Sequence, residues 1–258
     1  MDGIKITTLA HRPELAERLW DMEDTWPEFA RHDPTAELLY PRMVEELADH
    51  VLVATDGDAV VARGFSVPFA LHAPGRDGRL PARGWDQVLL WAFADLRSGV
   101  APDTVSAIEI TVAADRLGEG LSGRMLGAMR DNARTRGFAE VVAPVRPSGK
   151  PAEPETPMEE YAYRMRGDGL PYDPWLRVHV RAGAVIDSVA PLSMTITGSL
   201  AQWREWTGLP FDTTGPVLVE GALAPVRCEA GQGYAAYVEP NVWVRHALDA
   251  APAPLRPG

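Results

Sequence analysis

Ile108-Glu109-Ile110-Thr111-Val112-Ala113-Ala114-Asp115-Arg116-Leu117-Gly118-Glu119-Gly120-Leu121-Ser122-Gly123 opens the stretch that decides the fold, which continues to Val145. It reads as an apolar strand, a glycine turn over 118–123, an amphipathic helix over 121–136 and a second strand over 139–145. In the helix Leu121, Met125, Met129 and Ala133 share one face, with Leu126 and Ala128 beside them. Arg124, Arg130, Asp131 and Arg134 cover the other side. At 1.5 Å per residue the helix spans roughly 24 Å, enough to cross a sheet once. Gly137 supplies its stop, and the following strand closes a parallel crossover, expected to be right-handed. Glycines at the mouth of such a helix let backbone N–H groups approach a phosphate-bearing ligand.

Working outward, residues 4–9 read as a strand and 13–29 as a helix with Leu15, Leu19 and Met22 at helical spacing. A second helix is expected over 35–49, through Leu38, Leu39, Met43, Val44 and Leu47, with Asp33-Pro34 as its start. Strands at 50–55 and 59–69 flank Asp56-Gly57-Asp58, an antiparallel hairpin signal. A Gly/Pro-rich loop over 74–83 leads to a short helix over 85–96. Beyond the opening stretch, Pro144, Pro147, Pro151, Pro154 and Pro157 forbid a helix or a central strand, which suits a linker or a lid. Helices follow at 158–166 and 174–182, the second with Asp173 as N-cap, Pro174 in first position and Gly183 as stop. Strands at 184–190, 194–197, 217–223 and 234–244 surround a short helix over 200–206. There is no internal repeat. A hairpin at the front and one parallel crossover make a mixed α+β sandwich, mostly antiparallel, flanked by helices and carrying extra C-terminal strands; it is not doubly wound. Residues 1–190 form the expected core, with 191–258 a strand-rich extension of the same domain.

The 258 residues, 46% hydrophobic and 24% charged, suffice for a proper core. No apolar run approaches the roughly 20 residues of a membrane-spanning helix. The start, Met1-Asp2-Gly3-Ile4-Lys5, is short, polar and acidic, unlike a secretory signal. Cys228, the single cysteine, excludes an intrachain disulfide and a cysteine-rich zinc site. His11, His32, His50 and His72 lack metal-ligand spacing, so no metal is expected. A net charge of −11 argues against nucleic acid as a partner and favours a cationic or neutral small substrate, besides keeping the protein in solution. Gly64-Phe65-Ser66 lacks the glycine that would complete a nucleophile elbow, so a serine hydrolase is unsupported. A cytoplasmic enzyme fits these features.

The glycine turn carries two fingerprints. Gly118-x-Gly120-x-x-Gly123 matches the dinucleotide pattern. Its context does not: five residues separate Val112 from Gly118, and the next strand ends in Arg146-Pro147 where a ribose-binding carboxylate is needed. The run from Val112 to Ser122 also resembles the acyl-CoA site of the GNAT superfamily of N-acyltransferases, Gln/Arg-x-x-Gly-x-Gly/Ala between a strand and a long helix. Here Leu117 stands at the Gln/Arg position, with Arg116 one place early, Gly120 is in place, and Ser122 replaces Gly/Ala. The strand, paired helices and hairpin of the first 190 residues follow the family's order. His179-Val180-Arg181-Ala182-Gly183-Ala184 is similar to the end of its last helix, commonly Tyr-x-x-x-Gly-Phe. The tail after 190, with Trp203, Trp206 and Trp243, lies outside the resemblance.

The resemblance implies an acyl-CoA-dependent N-acyltransferase that moves an acyl group, usually acetyl, directly from acetyl-CoA or another acyl-CoA to the amine of a small molecule through a tetrahedral intermediate. Val112 and Ala113 would offer backbone groups to the pantetheine arm, and an N–H near Val112 would steady the oxyanion. Gly118, Glu119, Gly120, Leu121, Ser122 and Gly123 would hold the pyrophosphate. His179 occupies the place of the family's proton-donating tyrosine; Tyr161, Tyr163 and Tyr172 are substitutes nearby, and an ordinary helix-face histidine is the plain alternative. Glu109, expected to face away from Ile108 and Ile110, is a candidate base or a salt-bridged carboxylate. Trp20, Asp21, Glu23, Asp24, Trp26 and Glu28 suit a cationic amine, or are surface charges among buried aromatics. The expected partner is a small-molecule amine, with no nucleic acid and no membrane, for a monomer or homodimer. A silent acyl-CoA-binding sensor is the alternative, and an NAD(P)-dependent oxidoreductase the third.

Overall fold

The structure, a computed structural model, describes residues 3–23 and 25–248. Strand β1 (Ile4–Thr8) pairs antiparallel with β2 (Val51–Asp56), and β2 turns at Gly57 into β3 (Ala59–Phe69). Next in the sheet come β4 (Thr104–Val112) and, parallel to it, β5 (Glu140–Val145). Between those two runs helix α3 (Leu121–Thr135), so the opening stretch is the strand–helix–strand crossover its periodicity foretells. Helix α1 (Pro34–Glu46) starts on an Asp33 N-cap, and α2 (Gly84–Ser98) ends on Gly99. Helices α4 (Met158–Ala162) and α5 (Pro174–Arg181) precede β6 (Val185–Ser199). Helix α6 (Leu200–Thr207), β7 (Gly215–Val217), β8 (Val226–Glu229) and β9 (Tyr234–Ala247) complete the described chain. The sheet runs β1-β2-β3-β4-β5-β9-β8-β7, with β6 on the other edge of β9.

Each face of the sheet buries its own apolar cluster. On one, α1 and α2 cover Val53, Phe65, Val67 and Phe69; on the other, Met125 and Met129 of α3 lie over Ala62 and Ala107. A Cβ on Gly64 would stand 3.3 Å from the methyl groups of Met125 and Met129, so the missing side chain lets α3 sit close on β3. Among the described residues no helix is long and apolar enough to cross a membrane.

Several elements differ from expectation. The described residues of 13–29 are not an α-helix but a chain of short 3-10 turns at Pro13–Leu15, Glu17–Trp20 and Glu28–His32, and Pro27 cannot continue a helical ladder. The apolar spacing still marked the right side chains, since Leu15, Leu19 and Met22 are buried. The helix at 158–166 stops at Ala162, because Met165 pairs with Pro171 across the Gly167–Gly169 turn. The strands at 184–190 and 194–197 are one, β6, whose register slips between Ala190 and Met194 and so accommodates Pro191. The strand expected over 217–223 does not form: β7 ends at Val217, and the chain turns at Gly221 against Pro27.

Candidate active site

Strands β4 and β5 are paired at Val105–Val141 and Ser106–Val142. Beyond that point they separate, while β5 stays zipped to β9 as far as Val145–Val242. The opening is a cleft of about 400 Å³ between Ala107–Val112 and Ala143–Arg146. Backbone groups that β4 would have shared with β5 face this space instead. Strand β9 continues the wall: Glu239 and Asn241 lie between its β8-paired residues, which end at Ala236, and its β5-paired residues, which start at Val242.

One end of the cleft meets the glycine turn. Gly118 and Gly120 have φ of +85° and +73°, a left-handed conformation that favours glycine, and Gly120 is the N-cap of α3. The first bond of the helix runs from Arg124 N to Gly120 O, so the amides of Leu121, Ser122 and Gly123 lack helical partners. Leu117 and Ser122 reach the cleft. Arg116, one place from the family's Gln/Arg position, bonds Asp56 and Glu119 instead.

Glu109 sits on the floor, turned by a bulge. Phe65 pairs with Glu109 and Ser66 with Ala107, so the register passes over Ile108. Strict alternation therefore fails: Ile108 packs in the α1–α2 cluster, and Glu109 points to the same side, where Tyr40 OH donates to its Oε2 at 2.6 Å. Its Oε1 accepts from Arg63 Nε at 2.8 Å and Thr111 Oγ1 at 2.7 Å. Glu109 is thus the salt-bridged carboxylate of the two expected readings. A second ion pair stands across the cleft, part-buried Arg146 Nε on buried Glu239 Oε2 at 3.1 Å, with Tyr237 OH and Asn241 Nδ2 donating to the same carboxylate.

His179 lines the cleft from α5, which Asp173 starts by accepting from the amides of Trp175 and Leu176. Its ring lies edge-on to Trp175, and its Nδ1 is 2.9 Å from Nε2 of His246 on β9. Burial pushes His179 down to about 3, helped by His246; burial and the Arg130 guanidinium push His246 down to about 4. Both rings are neutral at pH 7. The substitute tyrosines do not line the cleft: Tyr161 OH donates to Asp173, and burial, then the Asp173 charge, raise its pKa, while Tyr163 and Tyr172 are exposed.

Of the residues singled out from sequence, Glu109, Val112, Ser122 and His179 meet in the cleft, with the 118–123 turn at its mouth. Ala113 does not line it: its N–H donates to Val61 O and its carbonyl accepts from Arg116 N. Leu121 turns its side chain into the core under α3. Trp85, Arg146, Glu239 and Asn241 were missed, although the Arg146-Pro147 exit had marked the end of β5. A smaller cavity of about 200 Å³ adjoins, sharing Trp26, Trp85, Glu109 and Met194 with the cleft and adding Trp20, Glu37 and Tyr40. Arg31 and Arg63 line it too, the latter paired with Glu109, so its draw for a cation comes from the aromatic faces and Glu37. Trp20 and Trp26 belong to the expected acceptor region; Asp24 lies outside the described residues.

No family model matches the chain. The arginine N-acetyltransferase avaD of Aspergillus versicolor is 33% identical over an alignment of 278 residues, covering 95% of this chain and 94% of that protein. Among solved structures, the loading GNATL domain of CurA from Lyngbya majuscula superposes with a TM-score of 0.59 at 18% identity, covering 95% of this chain and 98% of that one. The second likeness shows the fold alone; the first, over nearly the full length of both chains, shows the family. The chain belongs to the GNAT superfamily of acyl-CoA N-acyltransferases.

Proposed function

We propose that the protein transfers an acetyl group from acetyl-CoA to an amine of arginine or a closely related small cationic amine. The observation that carries this is the continuity of three features: amides at the start of α3, the cleft between β4 and β5, and the aromatic-lined cavity with Glu37 beyond it. The relative's activity on arginine supports the choice of acceptor. Pyrophosphate sits on the amides of Leu121, Ser122 and Gly123, and the pantetheine arm lies along Val112. The acceptor's charged end lies among Trp20, Trp85 and Glu37, with Glu109 and Arg63 as a fixed, paired wall.

The acceptor nitrogen, entering neutral, attacks the thioester carbon, and the carbonyl π pair moves to oxygen. A β4 amide facing the cleft steadies that oxyanion. The adduct collapses, the C–S bond breaks with its pair on sulfur, and the proton lost by nitrogen reaches sulfur. His179, on the cleft wall opposite β4, is the residue proposed beside that sulfur. A silent sensor and a nicotinamide oxidoreductase are not favoured: the relative is an acetyltransferase, and the sheet is mostly antiparallel. Residues 191–258 are read as part of the same domain, since β6 runs across residue 190 and β9 lies inside the sheet.

The test is thiol release from acetyl-CoA with arginine, agmatine, ornithine and a neutral aromatic amine as acceptors. Arginine or its cationic analogues are expected to turn over. Turnover of the neutral aromatic amine alone would overturn the acceptor assignment.

A further inference from the structure

Arg146 follows the last residue of β5 and, among the described residues, is the one arginine or lysine that lines the cleft. Three neighbours hold it: Nε donates to Glu239 Oε2, Nη2 donates to the Gly221 carbonyl, and the Tyr237 phenol lies within reach. Trp26 covers one face of the guanidinium at 5.4 Å. A guanidinium carries five N–H donors, so three such partners leave it two for a ligand. The Arg146 side chain is 20% exposed, whereas Glu239 is buried and bound by Arg146, Tyr237 and Asn241. The cation is fixed in position and plane, with donors to spare.

A fork held in this way matches the geometry of a carboxylate. The acids of the cleft do not use it up: Glu239 takes one edge, and Glu109 is paired with Arg63. The cleft and the smaller cavity share Trp26, Trp85 and Met194, so one molecule can present an anionic end to Arg146 and a cationic end to Trp20 and Glu37. The attacking nitrogen must be neutral. A guanidinium, with a pKa above 12, keeps its proton, while an α-amine gives one up far more readily. In an α-amino acid that amine and the carboxylate share one carbon. An anchor for the carboxylate in the cleft therefore brings the α-nitrogen there as well.

We infer that Arg146 determines acceptor specificity: its remaining donors hold a carboxylate in the cleft, so the acceptor is a basic α-amino acid acetylated on its α-nitrogen, with the side-chain cation in the smaller cavity. The inference rests on the transfer to a cationic acceptor proposed above. The C–N bond forms from the lone pair of the α-nitrogen. The C–S bond breaks with its pair on sulfur, and the proton lost by nitrogen ends on the CoA thiol.

The experiment measures thiol release by the full chain with L-arginine, agmatine and L-argininamide. The last two keep the guanidinium and a primary amine but carry no carboxylate. KM for arginine is expected to be roughly ten- to a hundredfold below the other two, the worth of a hydrogen bond to a charged group. Fragmentation of the product in a mass spectrometer is expected to place the acetyl group on the α-nitrogen. Removing Arg146 alone would strand the buried Glu239 charge, so the variant combines Arg146→Gln with Glu239→Gln. It is expected to raise KM for arginine to that for argininamide, with KM for acetyl-CoA and for argininamide within about threefold of wild type. Equal wild-type KM values for arginine and argininamide would overturn the inference, whether or not the variant folds. So would an acetyl group on a guanidine nitrogen. A preference for arginine lost in Arg31→Gln yet kept in the double variant would move the carboxylate to the smaller cavity, against the inference. Failure of all three compounds to release thiol would instead overturn the cationic acceptor itself, and this inference with it.

Discussion

At Glu109, three donors from three segments converge on one carboxylate: Arg63 of β3, Tyr40 of α1 and Thr111 of β4 itself. Glu109 and Arg63 are both buried, so neither charge is easily solvated if the other goes. Breaking such a pair from one side costs about 3–5 kcal/mol, because the remaining charge is stranded. Glu109→Ala is therefore expected to lose about that much stability in urea denaturation, and Glu109→Gln less, since its amide oxygen still accepts. A loss under about 1 kcal/mol for the alanine variant would show that Arg63 does not depend on this partner. The carboxylate's role was only half legible beforehand. Strand alternation could put Glu109 in a sheet, but the bulge that turns it toward Tyr40 depends on how β3 registers against β4. His179 was legible as a helix residue at the family's tyrosine position; His246, 67 residues further on, was not, because nothing local marks the contact.

Among the elements, α1 and α2 begin beside each other, and their first turns hold two buried acids. Asp33 caps α1 through Ala36 N at 2.8 Å, while Asp86 lies in the first turn of α2. Burial and the charge of Glu239 push Asp33 up to about 6; burial and the charge of Asp33 push Asp86 up to about 7. The sign follows: a folded pKa above the unfolded one means the folded state holds the extra proton, so the contribution is complete below about 4 and is lost as pH rises through 7. Asp86→Asn is expected to melt closer to, or below, wild type at pH 5 and clearly above it at pH 8.5. A melting difference independent of pH would contradict a protonated Asp86. The histidine pair works the other way: its folded values lie below the ordinary one, so its contribution is complete above about 6.5 and fades toward pH 4.

The α3 turn gives a second prediction at this scale. A Cβ on Gly120 would meet nothing within 4 Å, so Gly120→Glu strains the backbone at a positive φ without a clash. It also places a carboxylate where phosphates are proposed to bind. A stability loss of about 1–2 kcal/mol and at least a tenfold weaker Kd for acetyl-CoA are expected by calorimetry. Unchanged affinity would misplace the site. The strand–helix–strand run was legible because Leu121, Met125 and Met129 repeat at helical spacing and Gly137 ends them. Strand β8 was not, because Val226–Glu229 is too short to show alternation and owes its pairing to β9 and β7.

Across the whole molecule, β9 ties everything together. It pairs with β5, β6 and β8, and it supplies both Glu239 and His246. Removing residues beyond 190 would expose the open edge of β5 and one cluster face, so a chain ending there is expected to bind hydrophobic dye and to unfold without a cooperative transition. A cooperative melt of that fragment would make the C-terminal strands a separable unit. The negative net charge of −11 favours the approach of a cationic acceptor, and raising salt is expected to lower kcat/KM for it. The central claim, direct transfer across the β4–β5 cleft to a cationic amine, is tested most directly by mass spectrometry of the products formed from acetyl-CoA and arginine. The account predicts arginine carrying one acetyl group in an amount equal to the CoA thiol released. Acetyl-CoA that binds tightly yet acetylates neither arginine nor any of its small cationic analogues would contradict it.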